Sequence, residues 1–192
     1  MGKYNCLLVF LLVVCPIFSQ GTLEREHRIR KSQFPSIQME LMVIGPDIKR
    51  IRYYKEVDSA KITYSLKFKQ DRLHYHIDYD AGGNLINSGF RVKEVDIPEE
   101  SYAKVKTYLT TTFEKVKIKR IWQQYPVHSI EPNENPLTST FQNLILPDNL
   151  YKLMVRGTKQ GQRQDYELWF DAEGNFKRMR NTLPTNFDHI LY

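Results

Sequence analysis

The sequence predicts an α+β protein made of two tandem units, each a helix packed on one face of a four-stranded antiparallel sheet. Three observations predict it: two self-similar segments, apolar residues alternating with polar ones at the period of a strand, and an apolar stripe at helical spacing opening each copy. The first unit covers 34–96 and the second 97–192, after a signal peptide over 1–19 and an N-terminal helical segment over 20–33.

The first 19 residues have the pattern of a secretory signal. Lys3 supplies the positive start, residues 6–18 form an apolar run, and Ser19 is a small residue at the expected cleavage site. The run is shorter than the about 20 residues of a membrane-spanning helix. A lipid anchor on Cys15 is the alternative, disfavoured because bulky valines precede that cysteine. We therefore expect an exported protein of the periplasm, cell surface or extracellular space.

Charge and cysteine content exclude several functions. Both cysteines, Cys6 and Cys15, lie in the predicted signal, so the exported chain has neither a disulfide nor a thiol nucleophile. The 28 basic and 22 acidic residues give a net charge of +6, but the two signs are interspersed along the chain. This favours solvated surfaces over a nucleic-acid interface.

Two predicted hairpins share the turn Asp-Ala-x-Gly-Asn, once at Asp80 and once at Asp171. The aspartates are suited to accept backbone N–H bonds, while Gly83 and Gly174 allow the positive φ of a tight turn. Further matches run upstream of the turns in the same order. They are Tyr64-x-Leu66-x-Phe68 with Tyr151-x-Leu153-x-Val155, Ile48-Lys49-Arg50-Ile51 with Ile118-Lys119-Arg120-Ile121, and Phe34-Pro35 with Ile97-Pro98.

Each apolar-Pro pair opens a predicted helix, because proline is well tolerated in a first helical turn. The apolar stripe of the second helix is formed by Tyr102, Val105, Leu109 and Phe113, and that of the shorter first helix by Ile37, Leu41 and Ile44. The second unit also contains a Pro-, Asn-, Ser- and Thr-rich insertion, 126–149, which we expect to form a loop.

These blocks resemble the PepSY-like family of exported proteins, which is related in fold to the tandem-repeat β-lactamase inhibitor proteins. The residues that carry the resemblance are Phe34-Pro35, Tyr53-Tyr54-Lys55-Glu56, Tyr75-x-Ile77-x-Tyr79-Asp80-x-x-Gly83, Ile97-Pro98 and Tyr166-x-Leu168-x-Phe170-Asp171-x-x-Gly174. The resemblance implies a non-catalytic protein that binds or inhibits other proteins, with the open sheet face as the binding surface. It implies no catalytic residues.

One strand carries His74, His76 and Asp78 on the same face, opposite its apolar residues. Two histidines and a carboxylate suit zinc, but the matching positions of the second copy, among them Glu167 and Trp169, hold no such set, so we predict no metal and no cofactor. Trp169 follows an inward-facing leucine and should point outward from the sheet, where it is either an exposed aromatic anchor of a binding surface or a ring covered by a helix or by the other unit. These five residues form the predicted binding face.

The sequence contains no Gly-x-Ser-x-Gly elbow and no phosphate-binding glycine loop. We therefore expect a binding or inhibitory protein and not an enzyme, acting on an envelope or secreted protein. The alternative is a binding protein for a small molecule or an anionic glycan, which the net positive charge favours. The two differ in the salt dependence of binding, and the oligomeric state is left open.

Overall fold

Nine antiparallel strands form one sheet in the computed structural model, which describes residues 25–35, 48–58, 61–127 and 136–182. Each strand pairs with its neighbours along the chain, so the sheet is an up-and-down meander. The strands are β1 Arg25–Ile29, β2 Lys49–Asp58, β3 Lys61–Gln70, β4 Leu73–Tyr79, β5 Leu85–Val92, β6 Lys115–Pro126, β7 Leu150–Lys159, β8 Gln162–Asp171 and β9 Phe176–Asn181.

The prediction of two tandem helix-plus-four-strand units is wrong. Strand β5, in the predicted first unit, pairs with β6, in the predicted second, through six register pairs from Asn87↔Pro126 to Val92↔Ile121. The protein is thus mostly a single sheet with few helices. Alternation along a strand shows which residues share a face, but it does not predict where one sheet stops and another begins.

The N-terminal part also departs from the prediction. Where a helical segment was expected over 20–33, β1 pairs with β2 from Arg25↔Val57 to Ile29↔Tyr53. The signal over 1–19 and most of the helix predicted after Phe34-Pro35 lie outside the described residues. The insertion 126–149, expected as a loop, contains the short helix α2, Pro136–Phe141.

Helix α1, Glu99–Thr112, confirms the predicted helix of the second segment. It begins directly after Pro98 and buries Val105 and Leu109, as its apolar spacing requires. Just past its end, the ring of Phe113 packs 5.0 Å from the ring of Tyr166 on β8. Helix α2 covers the middle of the same face.

That face of the sheet is apolar and forms the core. Its buried strand residues are mostly the inward members of the alternating patterns, and Phe34 adds edge-to-face contacts with Tyr53, Tyr64 and Tyr79. The buried side chains of the core include Leu66, Phe68, Tyr75, Ile77, Phe90, Ile121, Tyr125, Leu137, Tyr151, Leu153, Val155, Tyr166, Leu168 and Phe170. The helices and this face together exclude water from the apolar side of the sheet.

The two hairpin turns have the same geometry, as their sequences predict. Asp80 and Asp171 each accept the backbone N–H of the glycine three residues on, and Gly83 and Gly174 both have φ of +83°. The side chain of Asp171 also accepts the N–H of Asn175 at 2.8 Å. Local turn chemistry is thus sufficient to specify these hairpins.

Replacing Gly174 by alanine should destabilise the fold strongly. An added Cβ would lie 2.1 Å from the backbone oxygen of Ser101 at the start of α1, and the positive φ adds strain. We expect a loss of about 4 kcal/mol in the free energy of unfolding, measured by urea denaturation. The control Gly161→Ala has similar φ but open space around it, and should cost about 1 kcal/mol. Equal losses would contradict this packing of α1 on the β8–β9 turn.

Candidate binding face

The second face of the sheet, here called the polar face, carries the opposite members of the alternating patterns. It carries cations, carboxylates, amides and both tryptophans of the chain. Its residues include Tyr54, Glu56, Ser65, Lys67, Lys69, His74, His76, Asp78, Asn87, Arg91, Arg120, Trp122, Gln124, Lys152, Glu167, Trp169, Arg178 and Arg180.

A row of alternating basic and aromatic residues crosses this face from β5 to β9. Arg91 is opposite Trp122, Trp122 opposite Lys152, Lys152 opposite Trp169, and Trp169 opposite Arg178. Cations facing aromatic rings are attracted by the negative ring face. The register of four strand pairs therefore places both tryptophans among cations.

Trp169 lies on the polar face, as predicted, and of the two alternatives, an exposed anchor or a covered ring, the structure has the covered ring, because only 4% of Trp169 is accessible. The guanidinium of Arg178 lies 3.9 Å from the ring centroid, and the ammonium of Lys152 lies 5.0 Å from it. The indole N–H donates to Gln124 Oε1 at 3.1 Å. Trp169 is thus a buried support of the face and is not an exposed anchor.

A hydrogen-bonded chain continues from Gln124 across the middle of the sheet. Gln124 Nε2 lies 3.2 Å from His76 Nε2 and 3.3 Å from Asn87 Oδ1. Asn87 Nδ2 donates to Asp78 at 3.1 Å, and the hydroxyl of Ser65 donates to the other carboxylate oxygen at 2.6 Å. Five strands are linked by this chain, and we expect it to make the face rigid.

His76 is buried at the centre of this hydrogen-bonded chain. The ring of Trp122 lies edge-on to its imidazole, with 4.8 Å between the two ring centroids. Burial, together with the charges of Lys152 and Lys67, lowers the pKa of His76, although Asp78 and the Asn87 hydrogen bond act in the opposite direction. Its Nδ1 atom is buried without a hydrogen-bond partner. A neutral ring is therefore the favoured form at neutral pH.

Arg180 on β9 connects the two ends of the sheet. Its guanidinium bonds Glu167 on neighbouring β8 at 2.8 Å, and it also bonds Glu56 at 2.7 Å and Asp58 at 2.5 Å, both on β2. Strands β2 and β9 are seven positions apart, which in a flat sheet is about 34 Å. The sheet therefore curls around the polar face, and we call these bonds the Arg180 clasp.

The charges of the Arg180 clasp are of opposite sign and stabilise each other. Burial alone would raise the pKa of Glu167, but Lys152 and Arg180 outweigh it and hold that pKa below its usual range. Burial would likewise lower the pKa of Arg180, yet Glu167 and Glu56 raise it. Glu167 and Arg180 therefore both stay charged at neutral pH, where their attraction holds the curl.

The five residues predicted as the binding face separate into three places. His76 and Asp78 belong to the hydrogen-bonded chain, which Trp169 joins through its indole N–H, while Glu167 belongs to the clasp. His74 lies apart, beside Lys69 and Arg91.

Sequence reasoning missed Gln124, Asn87 and Arg180. Their signal was weak, since each is only a polar residue at an outward strand position. Among the described residues, no group of three or more His, Cys, Asp or Glu side chains has the arrangement to hold a metal ion. In the same part of the chain, no helix has the length and apolar character to cross a membrane.

No protein-family model matches the chain, and no curated protein matches its sequence. Similar solved structures include a BLIP-like protein from Bacteroides fragilis, with 16% identity over 81% of this chain and 92% of that one and a TM-score of 0.47. A DUF2874 family protein from Bacteroides ovatus has 11% identity over 79% and 88%, with a TM-score of 0.47.

A Bacteroides eggerthii protein, described as a candidate periplasmic protein, has 11% identity over 78% of this chain and 88% of that one, with a TM-score of 0.48. TM-scores below 0.5 at such identities establish neither shared function nor shared binding residues. The functional argument therefore rests on the geometry of the polar face itself.

Replacing Arg180 by methionine should cost about 3 kcal/mol in the free energy of unfolding, because three carboxylates then lose their common partner. The matched control is Arg156→Met, which removes an exposed pair with Asp165 and should leave the urea midpoint unchanged. A midpoint equally insensitive to both changes would show that the clasp does not form in solution.

The stability of the protein should fall as the pH is lowered from 7 to about 5.5. The pKa of His76 is lower in the folded chain, so the unfolded chain binds the proton first once the pH drops below about 6.5. His74 contributes with the same sign. In urea titrations across this range, His76→Gln should reduce the pH dependence. An unchanged slope would contradict the buried neutral state of His76.

Proposed function

We propose that this chain is an exported, non-catalytic binding or inhibitory protein whose polar face binds an envelope or secreted protein. Export is supported by the signal pattern of residues 1–19. A binding role is supported above all by one observation, the hydrogen-bonded chain that fixes side chains of the polar face across five strands. Interfaces whose side chains are already ordered lose less entropy on binding.

The ionisable groups of the face argue for binding and against catalysis. Glu167 and Asp165 are both ion-paired, and their pKa values are lowered, so neither serves as a protonated acid near neutral pH. At Glu167, burial raises the pKa but nearby cations outweigh it. At Asp165, the hydrogen bond from Arg156 is the largest cause of the lowered pKa. These carboxylates hold neighbouring side chains in place, which is the role of residues that support a surface.

The accessible part of the face is its cationic rim. Arg91 and Arg178 are exposed, whereas the tryptophans and His76 lie beneath and between the charged groups. A partner therefore meets guanidinium groups held on an aromatic and amide base. Arginine on aromatic support is frequent among the residues that dominate protein interfaces.

A labelled single-cysteine variant tests the assignment, since the exported chain has no cysteine of its own. The processed protein serves as bait in envelope and secreted extracts, and retained proteins are identified by mass spectrometry. Arg178→Cys, carrying a bulky maleimide polymer, should lose the partner because the polymer covers the polar face. The unlabelled variant lacks one rim guanidinium and should retain less of the partner than the unchanged protein, but more than the labelled variant.

The matched control is Lys104→Cys with the same label, since this exposed residue lies on α1, on the other side of the sheet. It should retain the partner. Loss with both labels, or with neither, would contradict the polar face as the binding surface. Turnover of a substrate by the purified protein would contradict the non-catalytic role.

A further inference from the structure

The cations around His74 belong neither to the hydrogen-bonded chain nor to the Arg180 clasp. Lys69 is directly opposite His74 in the β3–β4 register. Burial and then the charges of Arg91, Lys69, Arg50 and Arg120 lower the pKa of His74, which places four cations around one ring. We call Arg50, Lys69, His74, Arg91 and Arg120 the cation cluster.

The repeated segment Ile-Lys-Arg-Ile accounts for two members of the cluster. Its first copy lies where the β2–β3 register shifts between Lys49 and Arg52, and its second where the β6–β7 register shifts between Ile118 and Arg120. Bulges re-aim side chains and are frequent near functional sites. Arg50 also has φ of +59°, a left-handed conformation that costs energy in a residue with a side chain.

Within the described part of the chain, the positive charges of Lys69, Arg91 and Arg120 are not balanced by ion pairs. No carboxylate there lies within ion-pair distance of Lys69, Arg91 or Arg120. Glu26 acts on Arg120 from a distance and is itself bonded to Lys67. Burial and the neighbouring Arg91 lower the pKa of Arg120, so the arginines repel each other. A surface that tolerates such repulsion is suited to an anionic ligand.

The cluster is accessible from solvent. Arg50 and Arg91 are exposed, while Lys69, His74 and Arg120 are half-buried. The exposed guanidinium of Arg91 beside the half-buried one of Arg120 offers several forked donors to a single anionic group.

The neighbouring aromatic rings favour acidic side chains over sugars or bases. Sugar rings and nucleobases are held by free aromatic faces, but Arg178 and Lys152 flank Trp169, and His76 lies against Trp122. The groups left open are charged donors, whose best match is a carboxylate. We propose that the cation cluster binds an Asp- and Glu-rich segment of the protein partner, an inference that rests on the proposed function.

Fluorescence anisotropy with labelled poly-L-glutamate tests this inference on the processed protein. We expect binding at low salt that weakens steeply as salt is added, because exposed charges are screened. The double variant Arg91→Gln with Arg120→Gln should weaken it about tenfold or more. The control, Lys104→Gln with Lys106→Gln on α1, removes the same charge from the opposite side and should change little. Thermal unfolding checks that both fold.

Lys69→Gln with His74→Gln is a second cluster variant, used if the arginine pair fails to fold, and it should weaken binding likewise. Equal losses in cluster and control variants would overturn the inference, since net charge alone would then explain binding. No binding of poly-L-glutamate, or tighter binding of polygalacturonate, would also overturn it. If the bait retains a protein partner regardless of salt and of these variants, the proposed function stands and the acidic segment is wrong.

Discussion

The ion pairs of Arg180 with carboxylates at both ends of the sheet determine the shape of the molecule. Helices and aromatic side chains cover the apolar face, whereas side chains of the polar face contact each other across the curl. A flat nine-stranded meander would leave its tryptophans and histidines in water. The clasp brings β9 against β2, and the resulting curl buries Glu167, Trp169 and His76 while satisfying most of their polar atoms.

The polar face therefore combines a rigid base with a strained rim. The hydrogen-bonded chain that begins at Trp169 and ends at Ser65 fixes the centre of this face. In the proposed binding role, little reorganisation would then accompany binding. The cation cluster lies beside this base, where like charges repel and two bulges depart from regular strand geometry. Like-charge repulsion and irregular strands within an otherwise regular structure are typical of functional sites.

The sequence predicts the features that depend on neighbouring residues. The turns at Asp80 and Asp171, the buried side of α1 and the side on which Trp169 lies all follow from local chemistry and periodicity. The single sheet does not, because the pairing of β5 with β6 depends on residues far apart in sequence. The sequence also leaves open whether Trp169 is exposed or covered, because the cations that cover its ring, Lys152 and Arg178, come from neighbouring strands.

The measurement that tests this account most directly is a distance across the curled sheet. Spin labels at Lys61→Cys and Lys177→Cys, both exposed and next to the clasped strands, report it by pulsed electron paramagnetic resonance. The account predicts a distribution centred below about 25 Å, because the clasp holds β2 against β9. A distribution centred near or above about 29 Å, the span of the six strand positions from β3 to β9 in a flat sheet, would contradict it.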